Sequence, residues 1–160
     1  MIDGQELRDG MRVVPTAVTV VTTASGDRVR GATIGSFASV SLDPPLICFN
    51  ISRDAQLHSV LMEATNLAVH VLKNDQTDVS NFFANKDRSS EEQFSQTPHD
   101  VNVDGVPVLR DALVVFVCSI TSIADAGDSS IIVAEVQSVV PSQGGKPLVF
   151  FDRGYHAVGE

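Results

Sequence analysis

Two long β-branched segments joined by a short connection constrain the fold of this chain more than any other feature. Residues 113–123 read LVVFVCSITSI and residues 130–140 read SIIVAEVQSVV, and the residues between them include Ala, Asp and Gly. β-branched residues favour strands, and so short a connection cannot contain a crossover helix. The two segments are therefore predicted to pair as a long antiparallel hairpin.

Shorter strand-like segments separated by turn residues occupy much of the remaining chain. Strands are predicted over residues 18–23, the first part of 30–41, 46–51, 67–72 and 147–151. Six or seven strands with short turns, and with Gly and Pro at the corners, favour an antiparallel barrel over a doubly wound sheet. The whole chain, residues 1–160, is predicted to form one domain that is mainly β with short helices.

Three short helices are predicted between the strands from the spacing of apolar residues. They cover residues 3–12, 55–64 and 75–84, with Asp3, Asp54, and Asp75 or Thr77 as the respective N-caps. Residues 86–103 are polar and are predicted to be irregular, with one helical turn at 90–94.

The net charge of the chain limits the partners that it can bind, and its cysteines indicate the cellular compartment in which it is found. Twenty acidic against eleven basic side chains give a net charge of −9, which repels phosphate backbones, so no nucleic-acid partner is expected. No apolar run approaches the ~20 residues of a membrane-spanning helix, and the first eleven residues carry four charges, unlike a signal peptide. Cys48 and Cys118 lie in apolar segments and are predicted to be buried free thiols, which indicates a reducing, cytoplasmic location.

The segment 31–41, GATIGSFASVS, has the most unusual composition in the chain. It holds four hydroxyl side chains and two glycines and no charge, and Gly31 and Gly35 mark places where the backbone bends or another group approaches closely. Two interpretations stay open: a strand with an exposed hydroxyl face, or a cradle for an anion or a flat polar ring.

Several well-known site patterns are missing from the sequence. It has no G-x-G-x-x-G or P-loop motif, no zinc-ligand spacing and no C-x-x-C pair, so no metal is expected. Its four histidines are scattered and are predicted to be structural or solvated. A hydrolase with Ser36 or Ser39 as nucleophile is the weakest hypothesis, because residues 35–39 lack the second glycine of G-x-S-x-G.

The chain resembles the short-chain flavin reductase family in an ordered series of motifs from about Met11 to Tyr155. The series begins with PTAVTVVTT at 15–23 and continues with the specific string S-F-x-S-V-S-L-D-P-P-L at 36–46. Weaker matches follow at residues 71–84, around Cys118, at Gly127-Asp128, and from Pro147-Leu148 to Tyr155.

The resemblance implies a split antiparallel β-barrel of the FMN-binding type, a homodimer with FMN or FAD near the subunit interface. Such proteins transfer hydride from NADH or NADPH to flavin, and many pass the reduced flavin to a separate monooxygenase. No catalytic side chain is implied, because the flavin carries the chemistry. A non-catalytic FMN-binding electron carrier is the alternative.

The resemblance also places cofactor-binding residues in three parts of the chain, at 33–40, 50–56 and 83–84. Arg53 is expected to supply positive charge near a helix start, where backbone N–H groups favour an anion. The full set is Thr33, Ile34, Gly35, Ser36, Phe37, Ser39, Val40, Asn50, Ile51, Ser52, Arg53, Ala55, Gln56, Phe83 and Ala84.

Five further residues are expected on the nicotinamide side of the site: Pro15, Thr16, Asp128, Ser129 and Tyr155. The family's G-D-H motif reads Gly127-Asp128-Ser129 here, and the family's histidine is associated with the nicotinamide. Serine is shorter and cannot carry charge, so the departure predicts weaker NAD(P)H use with flavin binding retained.

Overall fold

The computed structural model describes residues 1–142 and 144–159, which form four helices and twelve strands. The helices are α1 (Gly4–Met11), α2 (Gln56–Leu61), α3 (Thr77–Ala84) and α4 (Ser90–Gln96). The strands are β1 (Thr16–Ala17), β2 (Thr19–Ser25), β3 (Arg28–Ile34), β4 (Ala38–Leu42), β5 (Pro45–Ser52), β6 (Asn66–Val71), β7 (His99–Val101), β8 (Pro107–Leu109), β9 (Val114–Ala126), β10 (Ser129–Pro141), β11 (Leu148–Phe151) and β12 (Gly154–Ala157).

Seven of the strands form one antiparallel sheet in the order β3-β2-β6-β9-β10-β5-β4. Its longest members are β9 and β10, each of 13 residues, and they pair as the long hairpin that the sequence predicts. Two register shifts on β10 interrupt this hairpin, and such bulges bend a sheet and increase its twist. The edge strands β3 and β4 are not joined to each other by a ladder, so the mainly β fold is a split barrel, as expected.

Two apolar clusters, one on each side of the sheet, hold α2 and α3 against it. The first contains Phe49 and Ile132 of the sheet together with Leu57 and Leu61 of α2. The second contains Val20, Leu72 and Leu148 together with Phe83 of α3. Because α2 and α3 are each anchored by buried side chains, the segments that flank them hold defined positions next to β3 and β5.

The predicted helix caps are correct only for the first helix. Asp3 forms a capping box at the start of α1, with both reciprocal hydrogen bonds present. Asp54 does not cap α2: the N-cap is Ala55, one residue later, so the carboxylate stands one position too early. Neither Asp75 nor Thr77 caps α3, whose N-cap is Gln76; the Gln76 side chain instead accepts a hydrogen bond from Lys73 N at 2.8 Å.

The segment 86–103 is more regular than predicted. It contains α4, which begins with a capping box at Ser89 and Glu92, and the short strand β7. α4 has a single buried residue, Gln93, which is polar, so the apolar periodicity that indicates a helix is missing from this stretch.

Both cysteines are free, as predicted, but only one is fully buried. Burial raises the pKa of the Cys118 thiol to about 12, whereas Cys48 is half-buried. Among the described residues, no helix is both long enough and apolar enough to cross a membrane.

His70 of β6 is a buried structural histidine that links three strands. Its Nδ1 lies 2.9 Å from the carbonyl oxygen of Val20, and its Nε2 accepts a hydrogen bond from Leu109 N at 3.0 Å. This pair of contacts requires a neutral ring with the proton on Nδ1. Burial lowers the pKa of His70 to about 4, although its hydrogen bond to Val20 opposes the shift.

We therefore expect the free energy of unfolding to fall as the pH drops from about 6.5 to about 4. In this range the unfolded chain binds a proton at His70 that the folded chain does not, so the contribution is complete above pH 6.5 and is lost toward pH 4. Its size is on the order of 3 kcal/mol. Urea unfolding at several pH values measures it; His70→Gln, which keeps a neutral donor and acceptor, should flatten the profile. Parallel profiles for the two proteins would contradict this account.

Candidate functional site

A cavity with a volume of about 680 Å³ lies between β3, the end of β5, the start of α2 and the end of α3. Its lining includes eleven of the residues predicted to bind a cofactor. These are Thr33, Ile34, Gly35, Ser36, Asn50, Ile51, Ser52, Ala55, Gln56, Phe83 and Ala84. Segments that lie far apart in the sequence therefore meet at one concave site.

Four predicted residues lie outside this cavity. Phe37 packs against Phe116, with ring centroids 5.5 Å apart, and belongs to the core beside α2. Ser39 and Val40 lie on the edge strand β4 and are exposed. Arg53 points elsewhere and forms an ion pair with Asp125 at 2.9 Å. The structure thus does not bring Arg53 to the cavity as its positive charge.

Two of the hydroxyl groups that line the cavity, those of Thr33 and Ser36, are engaged within the protein. Thr33 Oγ1 donates to the carbonyl oxygen of Ser80 at 2.6 Å, and Ser36 Oγ donates to Asn50 O at 3.1 Å and accepts from Asn50 N at 2.9 Å. These hydrogen bonds hold β3 against α3 and the segment after β3 against β5, and the two hydroxyl protons are not free to donate to an anion. Among the described residues no histidine hydrogen-bonds to Ser36 or Ser39, so the hydrolase hypothesis has no support in the structure.

Gly31 allows an aromatic ring to lie directly against β3. A Cβ atom at this position would stand 2.6 Å from Cε1 and 2.8 Å from Cδ1 of Phe83, closer than carbon atoms pack. The backbone of Gly31 is also bonded on its outer edge: Gln93 Oε1 accepts from its N–H at 3.1 Å and Gln93 Nε2 donates to its carbonyl at 3.0 Å. Sequence reasoning identified the close approach but missed Gln93, which lies in a polar segment.

A short strap, residues 85–88, closes one side of the cavity. Gln56 Nε2 donates to the carbonyl oxygen of Lys86 at 3.0 Å, and Arg30 Nη1 donates to the carbonyl oxygen of Arg88 at 2.7 Å. The Arg88 guanidinium lies 4.1 Å from the centroid of the Phe82 ring, a cation–π contact. The strap is therefore tied to α2, β3 and α3 at once.

Eight lining residues are not in the cofactor-binding set that the resemblance implies, and they include both cations of the cavity, Arg30 and Lys86. The others are Gly31, Ala32, Asp54, Leu57, Asn85 and Asp87. No sequence pattern indicates that the strap lines a cavity, because its residues lie in a polar stretch without apolar periodicity.

A second, smaller cavity of about 230 Å³ shares a wall with the first. Thr33, Ile34, Gly35 and Ala84 line both. The smaller cavity adds only uncharged residues: Thr16, Val18, Ser80, Phe150 and Tyr155. Charged side chains, two cations and two carboxylates, thus line the larger cavity but not the smaller one.

The predicted nicotinamide-side residues divide between two places. Thr16 and Tyr155 line the smaller cavity, whereas Pro15 precedes β1 and does not line it. Asp128 and Ser129 lie at the turn between β9 and β10 and line neither cavity. The Ser129 hydroxyl donates to the Asp128 carboxylate at 3.0 Å.

Tyr155 is held by two hydrogen bonds at the smaller cavity. Its hydroxyl donates to Asn81 Oδ1 at 3.0 Å and lies 2.9 Å from Ser80 Oγ. Its ring meets Phe150 edge to face, with centroids 5.4 Å apart. These contacts tie the β11–β12 hairpin to α3 and fix the aromatic wall.

Metal chemistry has no candidate group in the described part of the chain, where no cluster of three or more His, Cys, Asp or Glu side chains occurs. What the two cavities offer is a cavity with both cations and carboxylates in its lining, next to a smaller one whose lining is uncharged.

Comparisons with known proteins agree with this geometry. The family model described as "Flavin reductase like domain" matches residues 11–159. The chain is 37% identical over 148 residues to "FMN reductase (NADH) SmoA" of Agrobacterium fabrum, which covers 92% of this chain and 82% of that one. It is 36% identical over 135 residues to the reductase component of the flavin-dependent trigonelline monooxygenase of Acinetobacter baylyi, which covers 84% of this chain and 43% of that one.

A solved structure shows the same architecture. BorF, the flavin reductase component of a bacterial two-component tryptophan halogenase, superposes with a TM-score of 0.90 at 34% identity, covering 99% of both chains.

We expect Gly31→Ala to destabilise the protein, because the added methyl group must displace the Phe83 ring from a packed wall. Such overpacking costs about 1–3 kcal/mol. Chemical denaturation would measure it, with Gly10→Ala in α1 as the control, since nothing lies within 4 Å of a Cβ atom there. An unchanged denaturation midpoint for Gly31→Ala would show that Phe83 is not held against β3.

Proposed function

We propose, because this chain belongs to the flavin reductase-like family, that it transfers hydride from NADH or NADPH to FMN or FAD bound in the larger cavity. Hydride leaves the nicotinamide with its electron pair and reduces the flavin, so no protein acid or base is needed. The role of the protein is to bind the flavin and nicotinamide rings and to orient them.

The pair of cavities with a common wall is the observation that carries this proposal. A flavin ring that packs against residues 33–35 and Ala84 would place its polar tail in the larger cavity. The smaller, uncharged cavity would then lie beside the ring. The backbone and small side chains of this wall suit a flat ring. The nicotinamide approaches from the side of the smaller cavity, where Thr16 and Tyr155 lie.

We also assign the Asp128-Ser129 turn and Pro15 to the proposed nicotinamide side, although none of these residues lines either cavity. The carbonyl oxygen of Asp128 accepts a hydrogen bond from Arg53 N at 3.0 Å, and the neighbours of Arg53, Ser52 and Asp54, line the larger cavity. The turn therefore adjoins the cavity from the β5 end. Serine at 129 in place of the family's histidine supports the second candidate function, an electron carrier that holds FMN and uses NAD(P)H poorly.

A steady-state assay separates these two functions. NADH oxidation followed at 340 nm should depend on added FMN or FAD, and the same assay with NADPH identifies the preferred reductant. Flavin that stays bound to the purified protein, with no turnover by either nucleotide, would favour the electron carrier. Absence of both flavin binding and NADH oxidation would remove the flavin proposal altogether.

We propose further that the chain is a homodimer. Apolar side chains stand exposed on the edge strand β4 and on the part of β10 that extends beyond its pairing with β5. Leu42 on β4 is 92% exposed, and Val40, Val139 and Val140 are each about half exposed. A second copy of the chain would cover these side chains, which otherwise form apolar surface on an antiparallel sheet.

Light scattering at micromolar concentration should give twice the 17.1 kDa mass of the chain. Leu42→Glu should shift the mass toward 17.1 kDa, because it places a charge in the proposed interface. Val103→Glu, which alters an equally exposed valine in the β7–β8 loop, should leave the mass unchanged. A wild-type particle of one chain would contradict the dimer.

The physiological acceptor of the reduced flavin is proposed to be a separate monooxygenase. Support comes from the relatives, since the trigonelline and tryptophan systems are each named as having a reductase component. A single domain over residues 1–160 and a cytoplasmic location complete the proposal.

A further inference from the structure

Arg30 is a buried cation at the wall of the larger cavity. It lies on β3, is 5% exposed, and is among the residues that line the cavity. The removal of a guanidinium from water is costly unless an anion or several hydrogen bonds compensate it. The partners of Arg30 therefore indicate whether the protein alone provides that compensation.

Within the described residues the compensation is incomplete. The only side-chain hydrogen bond of Arg30 there runs from Nη1 to the carbonyl oxygen of Arg88, at 2.7 Å. Six ion pairs occur among those residues, and none includes Arg30. Burial lowers the pKa of Arg30 from its ordinary value, the direction expected for a cation without a carboxylate partner.

The nitrogens of Arg30 that have no hydrogen-bond partner are not fully enclosed by protein atoms. A guanidinium has five N–H donors, of which one is engaged here. In the described part of the chain, the fully enclosed side-chain nitrogens without a partner are the Nε atoms of Arg12 and Arg88, and no nitrogen of Arg30 is among them. Since Arg30 is nearly buried and lines the cavity, the cavity is the space that its free donors reach.

The other charges of the cavity are arranged differently. Lys86 of the strap is a second cation that lines it, and it is exposed. The carboxylates of Asp54 and Asp87 also line the cavity, but both are exposed to water and neither lies within 4 Å of a cation among the described residues. Arg30 is thus the cation that is withdrawn from water and held in place.

We propose that Arg30 binds a phosphate group of the flavin substrate and makes the protein prefer FMN to riboflavin. The planar fork of a guanidinium matches a phosphate with two parallel hydrogen bonds. This inference rests on the proposed function, because it takes flavin as the occupant of the cavity. The pyrophosphate of a nicotinamide nucleotide offers the same chemistry, and the experiment distinguishes the two sources.

The test compares Arg30→Gln with Arg28→Gln. Arg28 lies two residues earlier on β3, so both variants lose one positive charge from the same strand, but Arg28 is exposed and pairs with Glu63 at 3.1 Å. Flavin fluorescence titrations give the Kd for FMN and for riboflavin. We expect Arg30→Gln to weaken FMN binding by about tenfold or more and to change riboflavin binding by less than about twofold. Arg28→Gln should change neither.

Several outcomes would overturn the proposal. Equal weakening of FMN and riboflavin binding would show that Arg30 only holds the strap. A higher KM for NADH with an unchanged Kd for FMN would assign the contact to the nicotinamide nucleotide. An unchanged Kd for both flavins would remove Arg30 from the site.

A measurement on the unaltered protein keeps the test valid if Arg30→Gln does not fold. Inorganic phosphate should raise the apparent Kd for FMN and leave that for riboflavin unchanged at matched ionic strength; an equal effect on both would contradict the proposal. The titrations also separate this inference from the reductase proposal. FMN that binds with the expected preference, in a protein that does not oxidise NADH or NADPH, would refute the reductase alone.

Discussion

The hydrogen bonds between the Gln93 amide and the backbone of Gly31 are the contact on which the rest of the site depends. β3 is an edge strand, and its outer N–H and carbonyl would otherwise be left to water or to another chain. The buried amide of Gln93 satisfies both groups and so attaches α4 to the sheet as a further strand would. α3, the strap and Phe83 then have fixed positions over β3, and a cavity forms between them and α2.

The two cavities differ in charge because different elements close them. The larger cavity is bounded by the strap and by the start of α2, which contribute Lys86 and Gln56, and by β3, which contributes Arg30. The smaller one is bounded by β1 and the β11–β12 hairpin, whose contributions are Thr16, Phe150 and Tyr155. A flat ring against the shared wall would have its polar extension in one environment and its reacting partner in the other.

The sequence predicts the framework well and the charged parts of the site poorly. The hairpin of β9 and β10 is evident because β-branched runs and turn residues are local signals. Arg53 was expected to supply the positive charge because it follows the motif at 50–52, yet it pairs with Asp125 on a hairpin far away in the sequence. Arg30, by contrast, was not expected at the site but lines the cavity. It is buried because the strap and α4 fold over β3, and no local sequence pattern indicates that packing.

The strap is tied to its neighbours through main-chain oxygens. Gln56 and Arg30 donate to the carbonyl groups of Lys86 and Arg88, and every residue type offers such a carbonyl. Side chains on the strap can therefore be exchanged during evolution without loss of these two tethers. A lineage could change the charge or size of residues 85–87, and with them the molecules admitted to the cavity, while the wall itself persists.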